Sequence, residues 1–202
     1  MKLSSLAFAA AIVALPASQA AAYTVKIFDA APMTNLTEAT AAIAGVATAT
    51  VHASIIDFDD LGDGTRGLFS VNNAWPISPP DTFAAHVTGT FYVGTAGSWT
   101  FGINHDDGAR LIIDGLAALT VTADGAADNR TSTVTGNFAV GYHTVDIVYF
   151  ENGGGASLEF FGRQANNPNF ALVQSVPEPT SLALVGLSLL GLGFSRRKSK
   201  SA

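Results

Sequence analysis

The chain has 202 residues, no cysteine and a formal net charge of −6. The lack of cysteine excludes disulfide bonds and cysteine-based zinc or iron–sulfur sites, so the fold must depend on its core. The acidic balance argues against a nucleic-acid partner, because phosphate binding requires a clustered basic face.

The first segment, residues 1–22, has the layout of a secretory signal peptide. Lys2 precedes an apolar run that ends before Pro16, and small residues follow. The run is shorter than the roughly 20 residues that span a bilayer. We therefore expect export, with cleavage after Ala20 or Ala22.

The folded body begins with a β-rich segment over residues 23–28, which predicts a first strand. Asn35 then offers an N-cap, Glu38 stands three residues later, and an Ala-rich run extends to Gly45. This pattern predicts one short helix.

Residues 57–81 predict a long surface loop, because Gly, Asp, Asn and Pro dominate them. The acidic run that opens this loop fails as an EF-hand, since Leu68 stands where the twelfth position needs a bidentate Glu. We expect a solvated acidic loop there. Trp75 has two interpretations: an exposed indole would stack on a sugar face, whereas a buried one would cover the core.

From Phe83 onward the chain alternates between apolar and polar residues and is interrupted by Gly-containing turns. Asp114-Gly115 is typical of a two-residue hairpin. The strands predicted in this part are 88–93, 98–104, 110–113, 116–122, 131–140, 142–150 and 157–161. Many short strands with frequent turns predict an all-β domain, a sandwich or a barrel.

Two adjacent carboxylates, Asp106 and Asp107, follow His105 and precede Gly108 between two predicted strands. Adjacent carboxylates repel each other, and a hard cation such as Ca²⁺, which takes oxygen ligands, would relieve that repulsion. Gly108 would permit a tight turn. In the alternative interpretation both aspartates cap a turn in solvent.

The last part of the chain is polar over 164–175, which predicts a linker, and then changes character over 176–202. Pro-Glu-Pro at Pro177, Glu178 and Pro179 precedes an apolar helix at about 181–195. The cations that follow it, beginning with Arg196 and Arg197, would stay in the cytoplasm and stop transfer across the membrane.

This tail closely resembles the PEP-CTERM sorting signal of Gram-negative bacteria, with all three elements in order. The resemblance implies that an exosortase cuts at the Pro-Glu-Pro motif after a transient membrane insertion. The body would then reach the cell surface or an exopolysaccharide matrix.

Three stretches of the body, 97–115, 141–151 and 155–160, resemble the protective-antigen-type (PA-14) domain. They contain a Gly-aromatic-Thr-Phe strand, the paired Asp-Asp-Gly, an Ile-Asp-Gly hairpin and a Gly-x-His strand that ends in Tyr-Phe-Glu. The resemblance implies an antiparallel β-sandwich over residues 23–163.

The same resemblance implies a calcium site. A cis peptide bond between Asp106 and Asp107 would aim both carboxylates at one ion, and a second loop would contribute Asn152 and Gly153. His105, Glu151 and Trp75 are further candidates for contacts with a ligand, although Glu151 could instead be a solvated strand end.

The sequence does not predict an enzyme. It has no Gly-x-Ser-x-Gly elbow, no Cys and no His-Glu-x-x-His, and adjacent carboxylates do not naturally flank a glycosidase cleft. We expect a calcium-dependent carbohydrate-binding or adhesion module whose partner is an exopolysaccharide or another glycan. The alternative is a structural matrix component with a purely structural calcium ion or none.

Removing both ends makes the body more acidic than the whole chain. Residues 21–176 contain five Lys and Arg against fifteen Asp and Glu, a net charge of −10. Such a body suits calcium better than anionic polymers or membranes.

Overall fold

A computed structural model of the chain describes residues 23–60, 67–69, 73–75, 80–117, 120–126 and 131–176. The predicted signal peptide, the Pro-Glu-Pro motif and the predicted membrane helix lie outside the described residues. Within those ranges, no helix is long and apolar enough to cross a membrane.

The described residues form twelve strands and one helix. In chain order they are β1 (Tyr23–Asp29), α1 (Leu36–Ala42), β2 (Ala49–Ala53), β3 (Asp57–Asp59), β4 (Asn73–Ala74), β5 (Phe83–Val93), β6 (Gly97–Asp106), β7 (Gly108–Ile113), β8 (Thr120–Ala123), β9 (Thr133–Phe138), β10 (Gly141–Glu151), β11 (Ser157–Gln164) and β12 (Ala171–Leu172).

The strands form two sheets. The first has the order β2-β1-β5-β10-β7-β8 and the second β4-β3-β11-β6-β9, with β12 added beside β11. The pairs are antiparallel except β3 with β4. Alternate residues of both sheets, such as Val87 and Ile147 from the first and Ile103 and Leu158 from the second, meet in one core. The all-β sandwich with one short helix is confirmed.

The helix begins where the sequence predicts it. Asn35 caps α1 by accepting hydrogen bonds from the backbone N–H groups of Thr37 and Glu38 at 3.0 and 3.1 Å. Glu38 reaches back to the N–H of Thr34 at 2.7 Å, one residue before the cap. The apolar side of α1 packs with Phe150 in a smaller cluster.

Two details of the predicted strands are corrected. The Asp114-Gly115 turn forms with positive φ at both residues, 54° and 65°, but β8 begins only at Thr120, so the connection is longer than two residues. The start of the predicted surface loop is in fact strand β3, with Asp57 and Asp59 each 1 % exposed. β3 forms because Phe58 between them fills the core and the strand pairs with β11.

The prediction of a linker over residues 164–175 is wrong, because this segment packs on the sandwich. β12 pairs with β11, and the ring of Phe170 packs on Phe161 with centroids 5.0 Å apart. Val173 packs against the main core. Asn-rich turns dominate the composition of this segment, but two apolar residues are enough to dock it on the sandwich.

Candidate functional site

One end of the sandwich carries the paired aspartates. β6 ends at Asp106 and β7 begins at Gly108. Because β6 lies in the second sheet and β7 in the first, the chain crosses between the sheets at Asp107. A cis peptide bond joins Asp106 and Asp107, as the resemblance implies. We call this end the acidic pole.

A third carboxylate joins the pair. Glu151 ends β10, beside β7, and one oxygen each from Asp106, Asp107 and Glu151 lie within 4.8 Å of one another. Asp106 is 9 % exposed and Glu151 only 1 %. The three residues therefore form a mostly buried group of oxygen atoms that could hold a metal ion.

Electrostatics at the acidic pole disfavour charge on Glu151. Burial raises the pKa of Glu151 to about 7, and the negative charges of Asp107 and Asp106 add to the increase. Hydrogen bonds from the Tyr149 hydroxyl, at 3.0 Å, and from the N–H of Gly153, at 2.8 Å, act in the opposite direction. A bound cation would offset the repulsion among the three carboxylates.

Buried polar groups hold the aspartate loop in place. The Tyr149 hydroxyl shares its one proton between the Glu151 carboxylate and the carbonyl oxygen of Asp106. Burial raises the pKa of Tyr149 well above its usual value. His105 is fully buried: its Nδ1 lies 2.6 Å from the carbonyl oxygen of Asp107 and its Nε2 lies 2.8 Å from Ser132 Oγ. Both ring nitrogens of His105 thus have partners within the protein, so the residue supports the loop.

The second predicted loop meets the pole through its backbone. The N–H of Asn152 donates to Asp107 Oδ2 at 2.8 Å, and the N–H of Gly153 donates to Glu151 Oε1. Gly153 and Gly154 have φ values of 115° and 101°, a region that favours glycine. The glycine run therefore turns the chain tightly enough to bring these N–H groups onto the carboxylates.

Trp75 lies in the core. It is 7 % exposed, and its Nε1 donates to the carbonyl oxygen of Ala156 at 3.3 Å. Its ring packs on Phe58, Phe83 and Tyr149, with centroids 4.9, 5.0 and 5.3 Å apart. Trp75 therefore supports the acidic pole from beneath, through Tyr149.

The structure contains a second buried polar group, around Glu159, that the sequence does not predict. Glu159 on β11 is fully buried and accepts hydrogen bonds from the N–H groups of Leu68 and Phe69, at 2.8 and 3.0 Å, and from Asn104 Nδ2 at 2.8 Å. Burial raises the pKa of Glu159 despite these bonds. Its acceptor atoms fasten residues 67–69 over the outer face of the second sheet. Only the strand register, which places Glu159 opposite Asn104, would have disclosed this group.

Fold and site together define a β-sandwich whose chain crosses between sheets at a cis-linked aspartate pair. The PA14 domain family model matches residues 74–165, and the PEP-CTERM protein-sorting motif model matches residues 175–198. The PA14 match covers both loops of the acidic pole. The sorting motif indicates an exported protein that is held transiently at the membrane.

Solved structures show the same fold at low identity. The PA14 domain of the MpAFP antifreeze protein is 18 % identical, with a TM-score of 0.60 over 84 % of this chain and 98 % of that one. A PA14 sugar-binding domain from an RTX adhesin is 21 % identical, with a TM-score of 0.57 over 78 % and 99 %. The A domain of Epithelial Adhesin 6 from Candida glabrata, solved with Galb1-3GlcNAc, is 14 % identical, with a TM-score of 0.55 over 80 % and 87 %. No curated protein matches the chain significantly.

Proposed function

We propose that this protein is a surface-sorted module that binds carbohydrate in a calcium-dependent way. The observation that carries the proposal is the convergence of Asp106, Asp107 and Glu151 at one end of the sandwich. Carboxylate oxygens on two loops suit Ca²⁺, which takes six to eight oxygen ligands in flexible geometry. Of the solved structures with a similar fold, one is a sugar-binding domain from an RTX adhesin and one holds the disaccharide Galb1-3GlcNAc.

The residues fit the ion that the proposal requires. Asp106 and Asp107 would hold it, Glu151 would contribute the third carboxylate, and the loop at Asn152 and Gly153 would close the pole. A bound Ca²⁺ would supply positive charge to this acidic group and coordination positions for the hydroxyl groups of a sugar. The raised pKa of Glu151 is consistent with a site that is incomplete without a cation.

The sorting tail supports a proposal for the location of the protein and for its partner. An exosortase would cut at Pro177, Glu178 and Pro179 and release the body to the surface or the extracellular matrix of a Gram-negative bacterium. The glycan would then be an exopolysaccharide of that matrix. We infer binding without catalysis, because the carboxylates of the acidic pole are buried and held by their own loops, and the pair formed by Ser132 Oγ and His105 Nε2 is buried as well.

A second candidate is a structural matrix component whose ion, if any, only orders the loops. Asp107 and Glu151 favour it, since each already accepts an N–H bond from the loop that begins at Asn152. Carboxylates used in this way stabilise a loop whether or not a sugar binds.

Thermal unfolding of the full chain with calcium and with a chelator tests the metal site. A ligand at 100 times its Kd stabilises by about 2.7 kcal/mol, and for about 150 residues each kcal/mol raises Tm by about 2–4 °C. We expect a rise of about 5–11 °C on that basis. Asp106→Asn with Asp107→Asn should abolish it, whereas the exposed Asp81→Asn should not. An unchanged wild-type melt would contradict the calcium site.

A glycan array with calcium and with chelator separates the two candidates. Binding that the chelator removes supports the calcium-dependent module, and the variant with Asp106→Asn and Asp107→Asn should then bind no glycan on the array. Binding in both conditions contradicts calcium dependence. A melting temperature that rises with calcium, together with no glycan binding, favours the structural component.

A further inference from the structure

Exposed apolar side chains gather at one end of the first sheet. Within the described ranges, four of the five exposed large apolar side chains lie there: Tyr92, Leu116, Val140 and Tyr142. Tyr92 on β5 lies directly opposite Tyr142 on β10, and their rings meet edge to face with centroids 5.2 Å apart. Val140 comes directly before β10, and Leu116 follows the Asp114-Gly115 turn that Thr144 of β10 holds. We call these four side chains the aromatic end.

The aromatic end and the acidic pole lie at opposite ends of the same two strands. Phe83 and Glu151 are paired at one end of β5 and β10, and Val93 and Gly141 are paired at the other. Ten residue steps along β5 separate the two pairs, about 33 Å. The domain therefore has one acidic end and one apolar end.

The surroundings of the aromatic end carry little charge. Residues 88–105 and 131–145, which supply most of it, contain no Lys, Arg, Asp or Glu. The Asp114 carboxylate in the nearby turn is engaged, since its Oδ2 lies 2.7 Å from His143 Nδ1. Arg163, on the second sheet, donates to a backbone carbonyl at 3.2 Å. In a body that is acidic as a whole, this end can approach an anionic surface with the least repulsion.

The sorting tail leaves the domain beside the aromatic end and on the same face of the sheet. The N–H of Val176 donates to the carbonyl oxygen of Thr90 at 3.1 Å, and Thr90 Oγ1 donates to the carbonyl oxygen of Val176 at 3.1 Å. Thr90 and Tyr92 stand two positions apart on β5, so both side chains point to the outer face, while Phe91 between them lies in the core. Val176 is thus held about 7 Å along the strand from Tyr92.

The chain that follows Val176 limits how far this face can be from a membrane. Residues 177–180 separate Val176 from the apolar stretch 181–194, which has no charged residue. Four residues span at most about 14 Å. While the tail holds the chain at the membrane, the face that carries the tyrosine pair is therefore close to the lipid. Tyrosine favours such an interface, because its ring is apolar and its hydroxyl group can remain in water.

We propose that the aromatic end rests on the surface of the phospholipid bilayer while the sorting tail holds the chain at the membrane. Tyr92, Tyr142 and Val140 enter the interfacial region of the bilayer. The contact requires no anionic lipid, because the aromatic end has no Lys or Arg to attract one. The acidic pole then stands about 33 Å further from the lipid and faces away from it. This contact depends neither on calcium nor on carbohydrate.

A fluorescent label at a single introduced cysteine tests the contact, since the chain has no other thiol. Val140→Cys carries the label at the aromatic end. Val46→Cys is the matched control, because Val46 is 92 % exposed and precedes β2 at the end of β1 that lies next to Phe83. Full chains with the sorting tail intact are placed in phosphatidylcholine nanodiscs that contain a lipid with a nitroxide quencher on its headgroup.

We expect the label at position 140 to lose most of its fluorescence to the quencher and the label at position 46 to keep it. No loss at position 140 would overturn the proposal. Equal loss at both positions would also overturn it, because the tail alone would then bring the domain near the lipid without orienting it. Quenching that needs anionic lipid, or that salt removes, would mean an electrostatic contact and would contradict the proposed one.

Tyrosine variants of the labelled chain show whether the two rings make the contact. Tyr92→Ser with Tyr142→Ser removes both rings from exposed positions, so quenching at position 140 should fall. Thr88→Ser with Thr144→Ser changes the same two strands and is the matched control, with quenching unchanged. Thermal unfolding of each variant verifies that the domain is folded. Full quenching in the folded tyrosine variant would overturn the role of the aromatic end.

Discussion

Substituting alanine for Gly108, which follows the aspartate pair, tests how the acidic pole is built. A Cβ at Gly108 would lie 2.3 and 2.6 Å from ring atoms of Phe150 and 3.0 Å from the carbonyl oxygen of Ala123. Phe150 is 1 % exposed and sits under α1, so its ring has no space to retreat. Gly108→Ala must therefore displace a buried ring or the aspartate loop.

The expected loss follows from this overlap. Overpacking a well-packed core costs about 1–3 kcal/mol. For a domain of about 150 residues the corresponding fall in Tm is about 2–12 °C. Because Gly108 opens β7 directly after Asp107, the same displacement should weaken any stabilisation by calcium.

Gly125→Ala is the matched control, since no atom lies within 4 Å of a Cβ at that position. Removing a glycine there restricts the unfolded chain and should be neutral or stabilising by up to about 1 kcal/mol. Thermal unfolding of both variants, with calcium and with chelator, measures the difference. Equal melting temperatures for Gly108→Ala and Gly125→Ala would refute the steric reasoning.

Two further substitutions test other parts of the fold. Asn35→Ala removes the cap of α1 and should cost about 1 kcal/mol in urea unfolding; no loss would mean that packing alone fixes the helix. In Glu159→Gln the side chain has one acceptor oxygen instead of two, so it cannot accept from the N–H groups of both Leu68 and Phe69. Amide exchange at these two residues should therefore rise. Unchanged exchange would contradict the role of Glu159 in holding residues 67–69. Burial raises the pKa of Glu159, so stability from this group is present at acid pH and is lost as the pH rises through the folded pKa. The free energy of unfolding of the wild type should therefore rise relative to that of Glu159→Gln as the pH falls from neutral. The same pH dependence in both proteins would contradict the raised pKa of Glu159.

Local features of the fold could be predicted from sequence because their causes are local. The cap at Asn35 is local, because its side chain accepts hydrogen bonds from N–H groups only two and three residues further along the chain. The long strands show period-two alternation, and the aspartate pair is contiguous in the chain. Gly108 shows the limit of local reasoning: the tight turn suggested for it gives no positive φ, and the glycine is required because Phe150 lies against it.

Features that depend on strand register could not be predicted in the same way. Glu151 joins the aspartates because β10 pairs with β7 and brings residues more than forty positions apart together. Likewise, the burial of Asp57 depends on its pairing with Glu159 on β11. The composition of residues 164–175 predicts a linker because Asn and Gln outweigh the short apolar run from Phe170 to Val173. The partners of that run lie on β11 and at the start of β1, far away in the sequence.

The two ends of β5 have different surroundings. Phe83 lies opposite Glu151 at the acidic pole, whereas Phe91 bridges Ser175, two residues before the Pro-Glu-Pro motif. Eight residues separate these positions along one strand, about 25 Å. A glycan held at the pole would therefore lie far from the point where the sorting tail leaves the domain. The sandwich thus separates the proposed ligand site from Val176, the last described residue before the proposed exosortase cut, so retention by the tail would not by itself cover the acidic pole.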